Sequence, residues 1–455
     1  MSGTRIASVS GLRGVVGDGL DPAIVVEFAA AYASGCGRGP IVVGHDGRVS
    51  APVFVPAVLA AVTATGRDVR LAGATATPTL GRLVRDLGAS GGIQISASHN
   101  PPTYNGLKFF QPEGMVLGAA EGRAILERLH ARDFGWAAWD ALGKVRAIED
   151  PDSSHRDRIL ALVDVEAIRR RKFTVVLDAC HGSGGRLGAD LLRALGCETI
   201  VLGGLPDGHY DHPPEPTEAN LRSFCALVPA VGATVGFAQD PDADRLALID
   251  ETGRYIGEEL TLALAALRRL SQARGPVVLN LSTSRVTEDL AGRFGCPVSR
   301  TPVGEIHVVE RMRADSAVLG GEGNGGVIDP RVGFVRDSFV AMALVLDLLA
   351  DSGERLSSLV ASLPRHAMVK DQYPLAAGPG VGKVSELWER IAAAHPEARA
   401  DRRDGLRLDW QDCWAHVRAS NTEPIVRVIA EAADPASARS LADRMGRWVT
   451  SAGET

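Results

Sequence analysis

Three aspartates stand at alternate positions in Asp240-Pro241-Asp242-Ala243-Asp244-Arg245, after the strand-like Thr234 to Phe237. In extended backbone, residues i, i+2 and i+4 face the same way, so three carboxylates converge on one point. Like charges that close repel strongly unless a cation neutralises them, and hard oxygen donors select magnesium or calcium. The sharpest rival is a calcium-binding helix–loop–helix, because Asp240, Asp242, Asp244 and Glu251 match the acidic positions of its loop. Arg245, however, stands where that loop needs glycine for its sharp turn, and the flanks read as strands rather than helices.

Three further segments concentrate polar chemistry. In residues 95–110, I-S-A-S-H-N-P-P-T-Y-N-G-L-K-F-F, a strand pattern ends in a hydroxyl-rich loop closed by a double proline. Loops that follow parallel strands are where such sheets hold ligands. Ser98 there offers a hydroxyl beside His99 and Asn100, and Lys108 could return to the same pocket; an Asn-Pro turn with a capping serine is the plain alternative. Residues 320–326, G-G-E-G-N-G-G, let backbone approach a ligand while Glu322 and Asn324 reach adjacent sugar hydroxyls, although a simple turn accounts for them equally well. The Lys-Ser/Thr of a nucleotide-binding P-loop is missing. Arg418-Ala419-Ser420-Asn421-Thr422-Glu423-Pro424, with Arg427 beyond it, gathers a guanidinium, two hydroxyls and an amide into an oxyanion trap suited to phosphate; a capped β-turn is its plain reading.

Composition narrows the partners. A net charge of -6 over 455 residues leaves no basic footprint for nucleic acid or an anionic membrane, so any phosphate recognition is local. No run of about 18 apolar residues appears, and residues 1–9 lack a cationic start followed by an apolar stretch, which argues against membrane spanning and secretion. The six cysteines, Cys36, Cys180, Cys197, Cys225, Cys296 and Cys413, are scattered without zinc-site or redox spacing, and a cytoplasmic setting is expected.

The elements that must position these groups can be read from periodicity. Asp21 and Pro22 start a helix that Gly35 stops, residues 41–43 are a short β-branched strand, residues 51–65 an apolar helix behind a possible N-cap at Ser50, and residues 68–71 another strand. Alternation of this kind predicts a mostly parallel sheet covered by helices. The rhythm restarts at residues 173–178 and again at 277–281, with turn-rich joints near 149–154 and 252–257. After Pro364 it changes to a helix near 385–394, strands near 413–417 and 425–429, and a closing helix over 435–449. Three α/β units and a smaller α+β unit are expected, divided at residues 1–150, 151–255, 256–365 and 366–455.

In order and spacing, these four blocks resemble the α-D-phosphohexomutase superfamily of phosphoglucomutases, phosphomannomutases and phosphoglucosamine mutases. Gly11-Leu12-Arg13-Gly14 resembles that family's opening loop, and Gly44-His45-Asp46-Gly47-Arg48 its G-R-D-x-R segment. The resemblance implies four domains around a central cleft, three of related α/β design with mixed, mostly parallel sheets and a C-terminal α+β domain. It implies Ser98 as a phosphorylated nucleophile, Mg²⁺ on Asp240, Asp242 and Asp244 completed by a phosphoserine oxygen at Ser98, and Lys108, His99 and Arg13 as further catalytic groups. By the same resemblance Arg245, Glu305, His307, Glu322 and Asn324 face the sugar, and Arg418, Ser420, Asn421, Thr422 and Arg427 hold the phosphate that is not reacting. The implied partner is a small sugar phosphate, with a hexose 1,6-bisphosphate as intermediate and activator, in a monomer or homodimer.

One departure bears on substrate. Many relatives carry Glu-x-Ser-Gly-His in the sugar loop, whereas Asn324 and Gly326 stand here at the Ser and His positions. The G-G-E-G-N-G-G loop together with Val303-Gly304-Glu305 looks most like the phosphoglucosamine mutase branch. Phosphomannomutase or phosphoglucomutase action and a noncatalytic sugar-phosphate-binding role stay open.

Overall fold

In the computed structural model, which describes residues 5–8, 11–374, 381–419 and 425–451, the β-branched run at 41–43 lies in the strand Ile41–His45 at the centre of an eight-stranded sheet. Its neighbours Gly91–Ile95 and Val69–Ala74 run parallel to it, and Val145–Ala147 extends the parallel part. Tyr104–Phe110 returns antiparallel to Gly91–Ile95. The helix Pro22–Gly35 begins as its sequence dictates, with the Asp21 carboxylate accepting from the Ile24 N–H. Ser50, by contrast, does not cap the helix Ala51–Ala64, because its hydroxyl accepts from Asn105 Nδ2 instead.

The second and third sheets repeat one plan. Thr174–Asp178 and Val277–Asn280 each have a parallel strand on both sides, and the chain then turns back antiparallel, at Val235–Gln239 to Leu246–Asp250 in one and Leu319–Glu322 to Gly326–Ile328 in the other. The fourth sheet, Ala367–Pro374, Ile425–Ala432, Trp414–Ala419, Leu406–Asp409 and Arg399–Asp401, is antiparallel throughout. The helices Val381–Ala394 and Pro435–Ser451 belong to this last unit. Three of the chemically dense segments therefore occupy the same kind of place, the connection between antiparallel strands, at residues 96–103, 240–245 and 323–325.

Packing joins the units. The helix Ser338–Ser352 follows the third sheet in sequence, yet Phe339 and its neighbours share one apolar core with Ile159, Leu191 and Phe237 of the second unit and Leu262 and Leu279 of the third. Full burial of each such side chain stabilises by about 1.5–3 kcal/mol, so separating the two sheets would cost many such terms. A buried polar chain adds direction. Thr79 Oγ1 lies 2.8 Å from His155 Nδ1, and His155 Nε2 lies 2.7 Å from Asp337 Oδ2, while Asp337 Oδ1 caps the helix at Phe339 N–H and Val340 N–H. First, second and third units are thus pinned at one point, next to the hairpin connections.

Candidate active site

Ser98 follows the strand Gly91–Ile95 in a left-handed conformation, φ 51°, a strained choice for a residue with a side chain. The surroundings over-determine it. Its N–H donates to Ser96 Oγ (2.8 Å), and that hydroxyl donates to Asp46 Oδ2 (2.7 Å). The Arg48 guanidinium, paired with Asp46, donates to the carbonyls of Ser98, Asn100, Pro101 and Tyr104. Arg13 supports the same loop through Asn100 Oδ1 (3.0 Å). The result is that Ser98 Oγ, in a residue only 2% exposed, sits 2.9 Å from Asp240 Oδ2 across 142 positions of sequence.

Asp240, Asp242 and Asp244 are fully buried, and one oxygen from each lies within 4.8 Å of the others. Asp240 Oδ1 accepts from the N–H groups of Asp244 and Arg245, which closes the turn. Asp242 Oδ2 accepts from Thr77 Oγ1 (2.6 Å) and Lys108 Nζ (2.5 Å), and Asp244 Oδ2 from Lys108 Nζ (3.0 Å) and Arg336 Nη2 (2.7 Å). Asp242 Oδ1 and Asp244 Oδ1 are buried without a hydrogen-bond partner among the described residues. Hard oxygens that converge, lack donors and are cut off from solvent fit a hard divalent cation, so this cluster could hold a metal ion. The calcium loop is overturned: the flanks are strands, and Glu251 turns away to accept from Ser357 N–H.

Electrostatics separates the three acids. Burial, then Asp242 and Asp244, push Asp240 well above the usual carboxylate range. Burial pushes Asp242 and Asp244 the same way, but Lys108, Thr77 and Asp240 together outweigh it at Asp242, and Arg336, Lys108 and Arg245 together outweigh it at Asp244; both stay below their ordinary value. Burial alone would lower Lys108, yet Asp242 and Asp244 hold it above the usual lysine range and therefore charged. His99 is driven well below its ordinary value by Arg245, then by burial and Arg13, and is neutral, with Nδ1 3.3 Å from Ser98 Oγ.

A cavity of about 470 Å³ opens beside this cluster. His99, Arg245, Glu305, Glu322, Asn324, Arg418 and Arg427 line it; His307, on the first turn of the helix Glu305–Asp315, does not. Glu322 Oε1 accepts from Asn280 Nδ2 (2.8 Å) and Gly304 N–H (3.0 Å). Burial raises Glu305 to about 7, even with Arg336 beside it. Arg418 and Arg427 are cross-strand partners at the base of the last hairpin, whose tip, with Ser420, Asn421 and Thr422, lies outside the described residues.

Several residues of the site were not legible as such. Arg336 lies outside the four chemically dense segments, and Arg48 stood out only through the family-like segment at residues 44–48, with no sign of the loop it holds. Lys370, on the strand Ala367–Pro374, reaches into the cavity wall with Nζ 3.1 Å from Glu259 Oε1, an ion pair between the third and fourth units.

Comparison with known proteins agrees with this geometry along the chain. Models of the phosphoglucomutase/phosphomannomutase family match in order: α/β/α domain I over residues 4–136, domain II over 153–253, domain III over 257–366 and the C-terminal domain over 382–447. A phosphoglucomutase/phosphomannomutase of Thermococcus kodakarensis is 37% identical, with 96% of each chain covered. A probable phosphoglucosamine mutase of Methanopyrus kandleri is 36% identical over 95% of each. Among solved structures, a phosphoglucomutase/phosphomannomutase family protein from Burkholderia thailandensis superposes with a TM-score of 0.86 at 27% identity, covering 98% of this chain and 97% of that one.

Proposed function

The chain belongs to the phosphoglucomutase/phosphomannomutase family and is a phosphohexomutase, an isomerase; from that premise we propose that it interconverts glucosamine 6-phosphate and glucosamine 1-phosphate through a phosphoserine at Ser98. The observation that carries the reading is the 2.9 Å approach of Ser98 Oγ to Asp240, beside a cavity whose wall carries Arg418 and Arg427. The amino sugar is favoured by the phosphoglucosamine mutases among the relatives and by Glu258, Glu259, Glu305 and Glu322 in the wall, which suit an ammonium.

Asp240, Asp242, Asp244 and the Ser98 oxygen would hold Mg²⁺, which when bound supplies positive charge to the phosphoryl oxygens. The residues of the chain do the rest. A sugar hydroxyl attacks the phosphorus, the bond from phosphorus to Ser98 Oγ breaks, and the hydroxyl proton ends on that Oγ. Neutral His99, within 3.3 Å of Oγ, can relay it. Lys108, charged and fixed on two carboxylates, faces the transferring group with an ammonium. Arg418, Arg427 and the loop of Ser420, Asn421 and Thr422 grip the distant phosphate, whichever end of the sugar carries it. The 1,6-bisphosphate then turns end over end and returns its other phosphoryl to Ser98.

Among the described residues no helix is long and apolar enough to cross a membrane, and all six cysteines are free. The free thiols support a cytoplasmic setting. A coupled assay of glucosamine, glucose and mannose phosphates with catalytic 1,6-bisphosphate tests the function. Glucosamine 6-phosphate is expected to turn over fastest, purified protein to carry one phosphate by intact mass, and Ser98→Ala to lose both properties while keeping its fold. Faster turnover of glucose or mannose phosphate moves the assignment to that sugar. No turnover of any of the three removes the proposal in favour of a noncatalytic binder.

A further inference from the structure

Gly326 opens the strand Gly326–Ile328, and a Cβ built there would lie 2.3 Å from Arg336 Cδ and 2.8 Å from Arg336 Cγ. The space that a side chain at 326 would take is filled by an arginine from the turn before the helix Ser338–Ser352. Arg336 is buried, 8% exposed, and its guanidinium spans two loops. Nη1 donates to Glu322 Oε2 and Nη2 to Asp244 Oδ2, both at 2.7 Å. Nε lies 3.3 Å from Glu305 Oε2, and the Arg336 N–H donates to Glu305 Oε1 at 3.0 Å. A planar fork holds its two acceptors at a fixed separation, which an ammonium on a flexible stem cannot do.

We propose that Arg336 is a positioning residue for sugar recognition: lying in the space over Gly326, it orients Glu322 toward the sugar hydroxyls and sets that carboxylate in register with the acidic loop at Asp244. Among the described residues, Glu322 is otherwise held through Oε1, by Asn280 and Gly304. Arg336 supplies the second constraint and ties sugar binding to the place where phosphorus is transferred. The inference rests on the reading of the cavity as a hexose-phosphate site.

The test is titration calorimetry with glucosamine 6-phosphate in a Ser98→Ala background, where nothing turns over. Arg336→Lys keeps the charge and loses the fork, so the dissociation constant is expected to rise about tenfold or more, the scale of a lost charge-assisted hydrogen bond. Magnesium affinity measured without sugar should stay within about threefold, since one positive charge still faces Asp244. Gly326→Ala drives a methyl into Arg336 and should weaken sugar-phosphate binding in the same direction. The double variant should bind no worse than Arg336→Lys alone: the lysine keeps the stem carbons that the methyl meets, but the fork whose placement the methyl disturbs is already gone. Unchanged affinity in Arg336→Lys, or a Gly326→Ala loss that persists in full in the double variant, overturns the inference. Mutase turnover of the unsubstituted protein is measured separately. Its absence with the affinity losses intact sinks the proposed reaction and leaves the role of Arg336 standing, whereas turnover with unaltered affinity sinks the role alone.

Discussion

The Arg48 guanidinium donates through Nη2 to the carbonyl of Ser98 at 2.5 Å, while the carboxylate paired with it, Asp46, reaches the Ser98 N–H through Ser96 Oγ. One buried ion pair therefore fixes both polar ends of the residue whose backbone is strained, and the strain is the means by which Oγ is turned toward Asp240.

Arg48→Lys should reduce mutase turnover by about 100-fold, the scale of a small misplacement of a reacting group, because a lysine cannot serve four carbonyls and Asp46 together. Arg48→Met should in addition lower stability by about 3–5 kcal/mol, since Asp46 is left buried and unpaired. Steady-state kinetics and urea denaturation check the two, and an Arg48→Lys enzyme with full turnover would show that Ser98 needs no such support.

Among the described residues, Asp242 carries two donors on one oxygen and none on the other. Asp242→Asn removes a negative charge and offers an amide, so the magnesium concentration for half-maximal rate is expected to rise by about 100-fold or more. A titration of metal against rate decides; an unshifted curve would place the cation elsewhere.

Lys108 holds two fully buried carboxylates together. In Lys108→Ala that neutralisation is lost, and the metal-free protein should be destabilised by about 3–5 kcal/mol. Magnesium then has more to offset, so its stabilising shift of the melting temperature should be larger than in the unsubstituted protein. Scanning fluorimetry with and without the ion measures both, and equal shifts would argue that the ammonium and the cation act at separate places.

His416 offers a pH test of how the last unit is seated. Its Nε2–H donates to the Asp404 carbonyl at 2.6 Å, which leaves Nδ1 to accept from Ser282 Oγ at 3.0 Å in the third unit. Burial lowers its folded-state value from 6.5 to about 4. The unfolded chain therefore binds the extra proton first as pH falls, so the contribution is complete above pH about 6.5 and is lost progressively toward pH about 4, by up to about 3 kcal/mol. Urea denaturation across that range should show the slope, and His416→Leu should flatten it at the expense of some stability at neutral pH.

The legible parts were those in which chemistry is written locally. Alternate aspartates after a strand, a serine-rich loop before a double proline and a glycine run around Glu322 are each contained in a few residues; the extended backbone expected to aim the aspartates is instead a turn, with Ala243 at φ 54° and Asp240 Oδ1 accepting from the N–H groups of Asp244 and Arg245. Asp21 capped its helix for the same local reason; Ser50 did not, because Asn105, distant in sequence, captured its hydroxyl. The helix Ser338–Ser352 looks like the property of one unit and is packed into two.

By itself the sequence determined the chemical inventory and the strand-to-loop positions that carry it, since periodicity and turn residues act over one or two turns of chain. The tertiary structure alone decided which groups meet: Ser98 with Asp240, Lys108 with Asp242 and Asp244, and Arg336 over Gly326 between Asp244 and Glu322. The physical reason is that a buried charge is tolerable only when paired, and its partner is chosen by the packing of whole sheets and helices, which no local pattern records.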